Sequence, residues 1–115
     1  MNNNYQKYMD VTANERTRKN SKFYFDTLDK YNIDVSSNNI SSLEQLENIF
    51  VQLGFNSFNS IISFRSLLKS YSIFINDKPL FNLIRKIDIY RINRITCRRH
   101  SSLFIYLRFG NGIVL

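Results

Sequence analysis

The chain has 115 residues, enough for one small domain with one core and too few for a two-domain enzyme of ordinary size. It is 43% hydrophobic and 15% aromatic, which excludes wholesale disorder, and its single cysteine excludes an internal disulfide. The formal net charge of +7 makes a polyanion the expected partner, with nucleic acid first and an anionic membrane surface second.

The start of the chain and its hydropathy predict a cytoplasmic protein. The opening stretch MNNNYQKYMD has no apolar core of the kind that a signal peptide carries. No apolar run approaches the ~18 residues that are needed to cross a bilayer. We therefore expect a soluble protein in a reducing compartment, without a membrane partner.

Residues 1–11 are rich in asparagine and predict a frayed lead-in with at most a short helical turn. Thr12 and Glu15 then form a capping-box pattern, which predicts a helix over residues 13–31. Apolar and small residues recur at helical spacing along this segment, and basic residues occupy the opposite side. The turn-forming stretch NIDVSSNN follows it.

The next segment repeats this pattern. Ser41 and Glu44 form a second capping box, and an apolar stripe predicts a helix over residues 42–53. Gly54 is placed to end that helix in a left-handed conformation.

A third helix is predicted over residues 58–75, where apolar residues lie almost all round the helix. We expect this to be the central and most buried helix. Arg65 and Lys69, four residues apart, share its one polar strip.

A fourth helix is predicted over residues 79–90, opened by Asp77 as N-cap and by the early proline Pro79. The segment after residue 100 is rich in β-branched and aromatic residues, and residues 110–112 read Gly-Asn-Gly, a hairpin-turn signal. The expected fold class is therefore all-α, a small orthogonal bundle of about four helices with an irregular or partly β C-terminal tail.

The charge is unevenly distributed and suggests two parts. Residues 1–84 hold nine Lys and Arg against eight Asp and Glu, whereas residues 85–115 hold seven against Asp88 alone. We expect a helical domain over 1–84 and a basic extension over 85–115. Within the stretch RINRITCRRH, residues 91–100, the isoleucines fit neither a clean helix face nor a strand, so this stretch is interpreted as weakly specified. Its expected phosphate contacts are Arg94, Arg98 and Arg99.

No catalytic or metal site is predicted. Cys97 and His100 are the only cysteine and histidine, and a zinc site needs three or four protein ligands. No glycine-rich phosphate loop is visible, and the acidic residues are scattered rather than paired in apolar surroundings. We therefore expect a protein that is not an enzyme and that needs no cofactor.

One pattern covers residues 12–75: three capped helices with a polar link, the third helix bearing an arginine. Its positions are Thr17, Ser21, Phe25 and Leu28, then Ile40, Leu46, Ile49, Phe50 and Leu53, and then Ser63, Phe64, Arg65 and Leu68. The pattern resembles the N-terminal core-binding (SAM-like) domain of tyrosine recombinases and phage integrases. It departs from that family at Ser21, where the family usually has tyrosine.

The resemblance implies a half-clamp that packs its helices over the major groove of DNA. Arg65 corresponds to the family's arginine on the third helix, Lys69 is its neighbour, and Lys19 and Lys22 would contact phosphates from the first helix. The two lysines of the first helix fit an ordinary solvated face equally well. Only about forty residues follow the third helix, which is too few for the family's cutting domain, so strand cleavage is not expected.

The expected function is therefore that of a non-catalytic protein that binds duplex DNA, either a phage or mobile-element regulator or a truncated integrase. The alternative is a helical protein-interaction module, such as a phage antirepressor or inhibitor. That module would bind a protein partner, or a second copy of itself, through an aromatic surface around Phe55 and Phe58. A membrane-surface role for residues 85–108 ranks last, because the arginines there do not segregate from the isoleucines.

Overall fold

The structure is a computed structural model that describes residues 2–12 and 14–100, with side chains as far as Thr96. These residues form six α-helices and no strand, which confirms the all-α class with two helices more than expected. In chain order the helices are α1 (Asn3–Val11), α2 (Glu15–Lys30), α3 (Leu43–Leu53), α4 (Phe58–Phe74), α5 (Lys78–Arg85) and α6 (Ile89–His100). The predicted irregular or β tail, at residues 101–115, lies outside the described residues.

Helix α4 lies at the centre, as predicted, and packs against α1, α5 and α6. Phe64 is fully buried and joins α4 to two more helices, with its ring centroid 4.9 Å from that of Phe50 in α3 and 5.4 Å from that of Tyr24 in α2. Burial raises the pKa of the Tyr24 hydroxyl above its usual value. The burial of α4 is one-sided, since Ile73 on the same helix is 64% exposed.

The N-terminal segment forms α1, so the prediction of a frayed lead-in is wrong. Tyr5 is fully buried and stacks on Phe25 of α2, with ring centroids 4.4 Å apart. Its hydroxyl donates to the Ile33 carbonyl at 2.9 Å and accepts from the Val35 N–H at 3.0 Å. Burial also raises the pKa of this hydroxyl above its usual value. These contacts with residues far along the chain explain why a segment with little apolar patterning is helical here.

The N-cap of helix α2 lies two residues later than predicted. The capping residue is Asn14, whose side-chain oxygen accepts from the Thr17 N–H at 3.0 Å. Thr12 instead ends α1, and its carbonyl accepts two hydrogen bonds from the Arg18 guanidinium, at 2.7 and 3.2 Å. The predicted capping box of Thr12 and Glu15 is therefore wrong, because the threonine belongs to the preceding helix.

Helix α3 has a capping box, but one residue later than predicted. Ser42 accepts from the Gln45 N–H at 3.2 Å, and the Gln45 side chain accepts from the Ser42 N–H at 3.2 Å. This pair replaces the predicted Ser41 and Glu44. Gly54 ends the helix with φ of 73°, which confirms its predicted left-handed conformation.

The helix predicted over residues 79–90 is two helices. Asp77 caps the first of them as expected, but α5 ends at Arg85. A second N-cap follows at once, because Asp88 accepts from the Arg91 N–H at 3.0 Å. The apolar spacing runs on through this break, so periodicity alone extended the predicted helix too far.

Residues 91–100 are helical, so their interpretation as a weakly specified stretch is wrong. Ile92 and Thr96, four residues apart on α6, are fully buried, and α6 packs against α3 and α4. The predicted domain boundary between residues 84 and 85 falls inside α5, and the buried residues Ile84 and Ile87 on its two sides belong to one core. Only part of the predicted extension is described, since residues 101–115 lie outside the description.

Replacing Tyr5 by Phe is expected to lower the free energy of unfolding by about 1–3 kcal/mol, because it leaves the Val35 N–H and the Ile33 carbonyl buried without this partner. Urea denaturation measures the difference. Tyr31→Phe is the matched control, since Tyr31 is 40% exposed, and a change within about 0.5 kcal/mol is expected there. Equal effects of the two substitutions would contradict the role of the Tyr5 hydroxyl.

Replacing Ile92 by Ala is expected to cost about 2–4 kcal/mol, because it opens a cavity where α6 meets the core. Ile73→Ala, at a position 64% exposed, provides the control and is expected to change stability by less than about 1 kcal/mol. Thermal and urea unfolding of both variants test this. Similar stabilities for the two would mean that α6 is not docked on α3 and α4.

Candidate nucleic-acid interface

Basic residues dominate the half of the chain that contains α4, α5 and α6. After Glu47 the sequence has two acidic residues, Asp77 and Asp88, against ten Lys and Arg. Both carboxylates cap helices: Asp77 accepts from the Leu80 N–H at 3.2 Å, and Asp88 accepts from the Arg91 N–H at 3.0 Å. The acidic groups of this half are thus used by backbone donors, and the basic side chains are little compensated.

Three side chains form a basic and aromatic group on α4 and α5. The Lys69 Nζ lies 6.0 Å from the ring centroid of Phe81, and the Arg85 guanidinium carbon lies 5.9 Å from it. Such distances are at the outer limit of cation–π attraction. No described carboxylate pairs with Lys69 or Arg85. We call Lys69, Phe81 and Arg85 the α4–α5 cluster.

Arg65 lies beside this cluster, but it faces the protein. Its Nη2 donates to the Arg85 carbonyl at 3.3 Å, and its Nε is buried without a hydrogen-bond partner among the described residues. Arg85 is the last residue of α5, where carbonyls lack helical partners and carry partial negative charge. A charged residue on a largely apolar helix usually has a specific interaction partner. The Arg85 carbonyl is such a partner within the fold, and the predicted DNA contact of Arg65 stays a prediction.

The two lysines predicted on α2 differ in their surroundings. The Lys22 Nζ lies 2.8 Å from the Asp26 carboxylate, a surface pair with side chains 62% and 48% exposed. An exposed pair of this spacing contributes roughly 0.3–0.5 kcal/mol, but it offsets the lysine charge locally. Lys19 is exposed and pairs with no described carboxylate. Neither lysine has a described interaction with the α4–α5 cluster.

Helix α6 carries the other predicted contacts. Arg94 is exposed and pairs with no described carboxylate, whereas the Arg91 Nη1 lies 3.6 Å from the Glu47 carboxylate of α3. The Glu47 side chain is only 9% exposed, so this pair links α6 to α3. Arg98 and Arg99 also lie on α6, and their side chains are outside the description.

Sequence reasoning missed Phe81, Arg85 and Lys86. The helix predicted over 79–90 included them, but no periodic pattern distinguished them as a surface. The feature of the sequence that could have indicated these residues is the scarcity of acidic residues after Glu47. It becomes informative only when the two remaining aspartates are known to cap helices.

The aromatic surface predicted around Phe55 and Phe58 is not present as expected. Phe55 is 8% exposed and packs in the core, with ring centroids 5.4 Å from Tyr24 and 5.1 Å from Phe64. Phe58 is half-buried and contacts Tyr90 of α6, with centroids 5.3 Å apart. The protein-interaction alternative therefore loses the surface on which it was based.

The cavities of the described residues are open grooves. One, of about 310 Å³ between α2 and α4, is lined by uncharged residues, both polar and apolar: Tyr8, Thr17, Asn20, Ser21, Tyr24, Ile62, Ser63, Ser66, Leu67 and Ser70. Within the described part of the chain, no three His, Cys, Asp or Glu side chains come together as a metal site would require. None of the described helices is both long and apolar enough to span a bilayer.

Comparison of the chain with known protein families, with curated proteins and with solved structures gave no match. The resemblance to the core-binding domain of tyrosine recombinases therefore stays a prediction.

Arg65→Ala is expected to lower the free energy of unfolding by about 1 kcal/mol, because it removes a charged donor from the end of α5. Lys69→Ala, four residues away on the same helix, is expected to change stability by less than about 0.5 kcal/mol. Urea unfolding of both variants measures the difference. If Arg65→Ala proves as stable as the wild type, the bond to the Arg85 carbonyl contributes nothing and the structural role is wrong.

Proposed function

We propose that this chain is a non-catalytic DNA-binding protein whose binding surface is formed by α4, α5 and α6. The observation that supports it most is the α4–α5 cluster, where Lys69 and Arg85 lie against Phe81 without a paired carboxylate. The only acidic residues after Glu47 are occupied at helix N-termini, so they do not neutralise the cluster.

Uncompensated cations of this kind favour a polyanion as the partner. When lysines and arginines bind phosphates, they release the counterions condensed on the nucleic acid, which provides much of the binding free energy at low salt. Lys86 follows Arg85 at the end of α5 and Arg94 lies on α6, and both are exposed. Cations that are already paired, such as Lys22, gain less from a phosphate because they must give up a carboxylate.

The proposed surface differs from the one that the resemblance implies. The resemblance assigns the main contacts to the first and third helices of the pattern, through Lys19, Lys22 and Arg65. Lys22 is paired with Asp26 and Arg65 faces α5. The cations that support the proposal are instead Lys69 and Arg85 of the α4–α5 cluster. A phage or mobile-element regulator is the class of DNA-binding protein that we propose.

Lys69→Ala and Arg94→Ala are each expected to weaken binding to a DNA duplex of any sequence by about three- to tenfold at low salt. Each is also expected to reduce the slope of log affinity against log salt by about one, because one phosphate contact is lost. Fluorescence anisotropy with a labelled duplex, at about 50 and about 200 mM salt, measures both effects.

The matched control is Lys7→Ala, which removes the same charge from an exposed position on α1. It is expected to leave both the affinity and the salt slope nearly unchanged. Equal losses in all three variants would show that net charge alone, rather than this surface, determines binding. A wild-type protein that binds neither the duplex nor a single strand of the same sequence, even at low salt, would overturn the proposal.

A further inference from the structure

Tyr90 exposes an aromatic ring on the proposed surface. It is the second residue of α6 and is 68% exposed, more than any other large hydrophobic residue in the described part of the chain. Its ring contacts that of Phe58 in α4, with centroids 5.3 Å apart and an angle of 32° between the planes. Phe58 is half-buried, so the tyrosine ring rests on an anchored neighbour while most of its own surface faces solvent.

The charges around this ring are positive. Arg94 lies four residues further along α6, which places it beside Tyr90 on the helix surface, and it is exposed. Arg91 follows Tyr90 directly, but its Nη1 lies 3.6 Å from the Glu47 carboxylate, so Arg94 is the cation beside the ring that has no described carboxylate partner. The nearest acidic residue in sequence, Asp88, directs a carboxylate oxygen to the Arg91 N–H at the start of the helix. A planar ring and the exposed cation of Arg94 therefore lie side by side near the N-terminal end of α6.

We infer that Tyr90 stacks on an unpaired base of a DNA strand, with Arg94 binding a neighbouring phosphate. The inference rests on the proposed DNA-binding function and specifies the form of DNA. Inside a duplex both faces of each base are covered by neighbouring bases, so a protein ring can stack only on a base that is single-stranded or displaced. Proteins that bind single-stranded nucleic acid combine basic residues, which contact the phosphates along the strand, with aromatic rings on which the bases stack.

The other exposed aromatic residues in the described part of the chain are less exposed than Tyr90 and lie outside α5 and α6. Phe23 on α2 is 61% exposed and lies four residues from the exposed Lys19, outside the proposed surface. Tyr31 and Phe74 are each 40% exposed; the Lys30 Nζ lies 5.9 Å from the ring centroid of Tyr31, and Phe74 packs edge-on against Tyr8. Phe23 therefore serves as a matched control for the effect of removing an exposed ring.

The test compares a labelled single DNA strand with a strand of equal length that carries abasic sites, so that the phosphates are the same and only the bases differ. Wild-type protein is expected to bind the base-bearing strand about tenfold more tightly than the abasic one in fluorescence anisotropy. Tyr90→Ala is expected to abolish this preference, whereas Phe23→Ala should retain it.

Two more variants separate stacking from packing against Phe58. Tyr90→Leu still covers Phe58 but offers no planar ring, and it is expected to lose the preference as Tyr90→Ala does. Tyr90→Trp presents a larger ring and is expected to retain or increase it. Thermal unfolding of each variant establishes that it is folded before binding is measured.

The outcomes distinguish the stacking inference from the function on which it rests. If wild-type protein binds neither strand nor duplex, the proposed DNA-binding function fails. If it binds duplex, base-bearing strand and abasic strand equally, or if Tyr90→Ala keeps the preference, the stacking inference is wrong and the DNA-binding surface stands. An RNA strand of the same sequence that is bound more tightly than the DNA strand would overturn the assignment to DNA.

Discussion

The fold depends on the burial of one face of α4. Two rings on that face, Phe64 and Tyr71, are seven residues apart and lie on the same side of the helix. Phe64 contacts the rings of α2 and α3, and Tyr71 contacts Tyr5 and Phe25, at centroid distances of 5.2 and 5.4 Å. Burial raises the pKa of the Tyr71 hydroxyl above its usual value, so the group stays neutral. Because this face packs against aromatic rings, polar and basic residues can occupy the opposite side of α4.

The two acidic residues in the basic half of the chain lie where helices begin. An aspartate at an N-cap is favourable because it accepts from backbone donors and meets the positive end of the helix dipole. Asp77 and Asp88 both occupy such positions, and Asp77 also accepts from the Ser37 N–H at 2.8 Å. The half of the chain that is poorest in acidic residues therefore uses them for local structure, and Lys69, Arg85 and Arg94 have no carboxylate partner among the described residues.

Much of the fold could be predicted from local signals, and the candidate site could not. Asp77 and Gly54 marked helix ends correctly, because caps depend on residues within one turn. Helix α1 was missed because its stability comes from Tyr5, whose hydroxyl partners lie 28 and 30 residues away. Arg65 was predicted to contact DNA because it matches the arginine of the family that the chain resembles, and that contact stays a prediction. Nothing in the sequence reveals that the end of α5, 20 residues further on, comes within hydrogen-bond distance of Arg65. Long-range contacts determine which cations are structural and which remain exposed, and periodicity carries no information about them.

The capping role of the two aspartates also limits how this protein can evolve. Replacing either by lysine would raise the net charge by two, yet it would remove a helix cap and would place a positive charge at the positive end of a helix dipole. Stronger attraction for polyanions is more accessible at exposed neutral positions outside the caps, where substitutions change charge with little effect on stability. If the proposed DNA-binding function holds, selection on affinity and selection on folding therefore act on different residues.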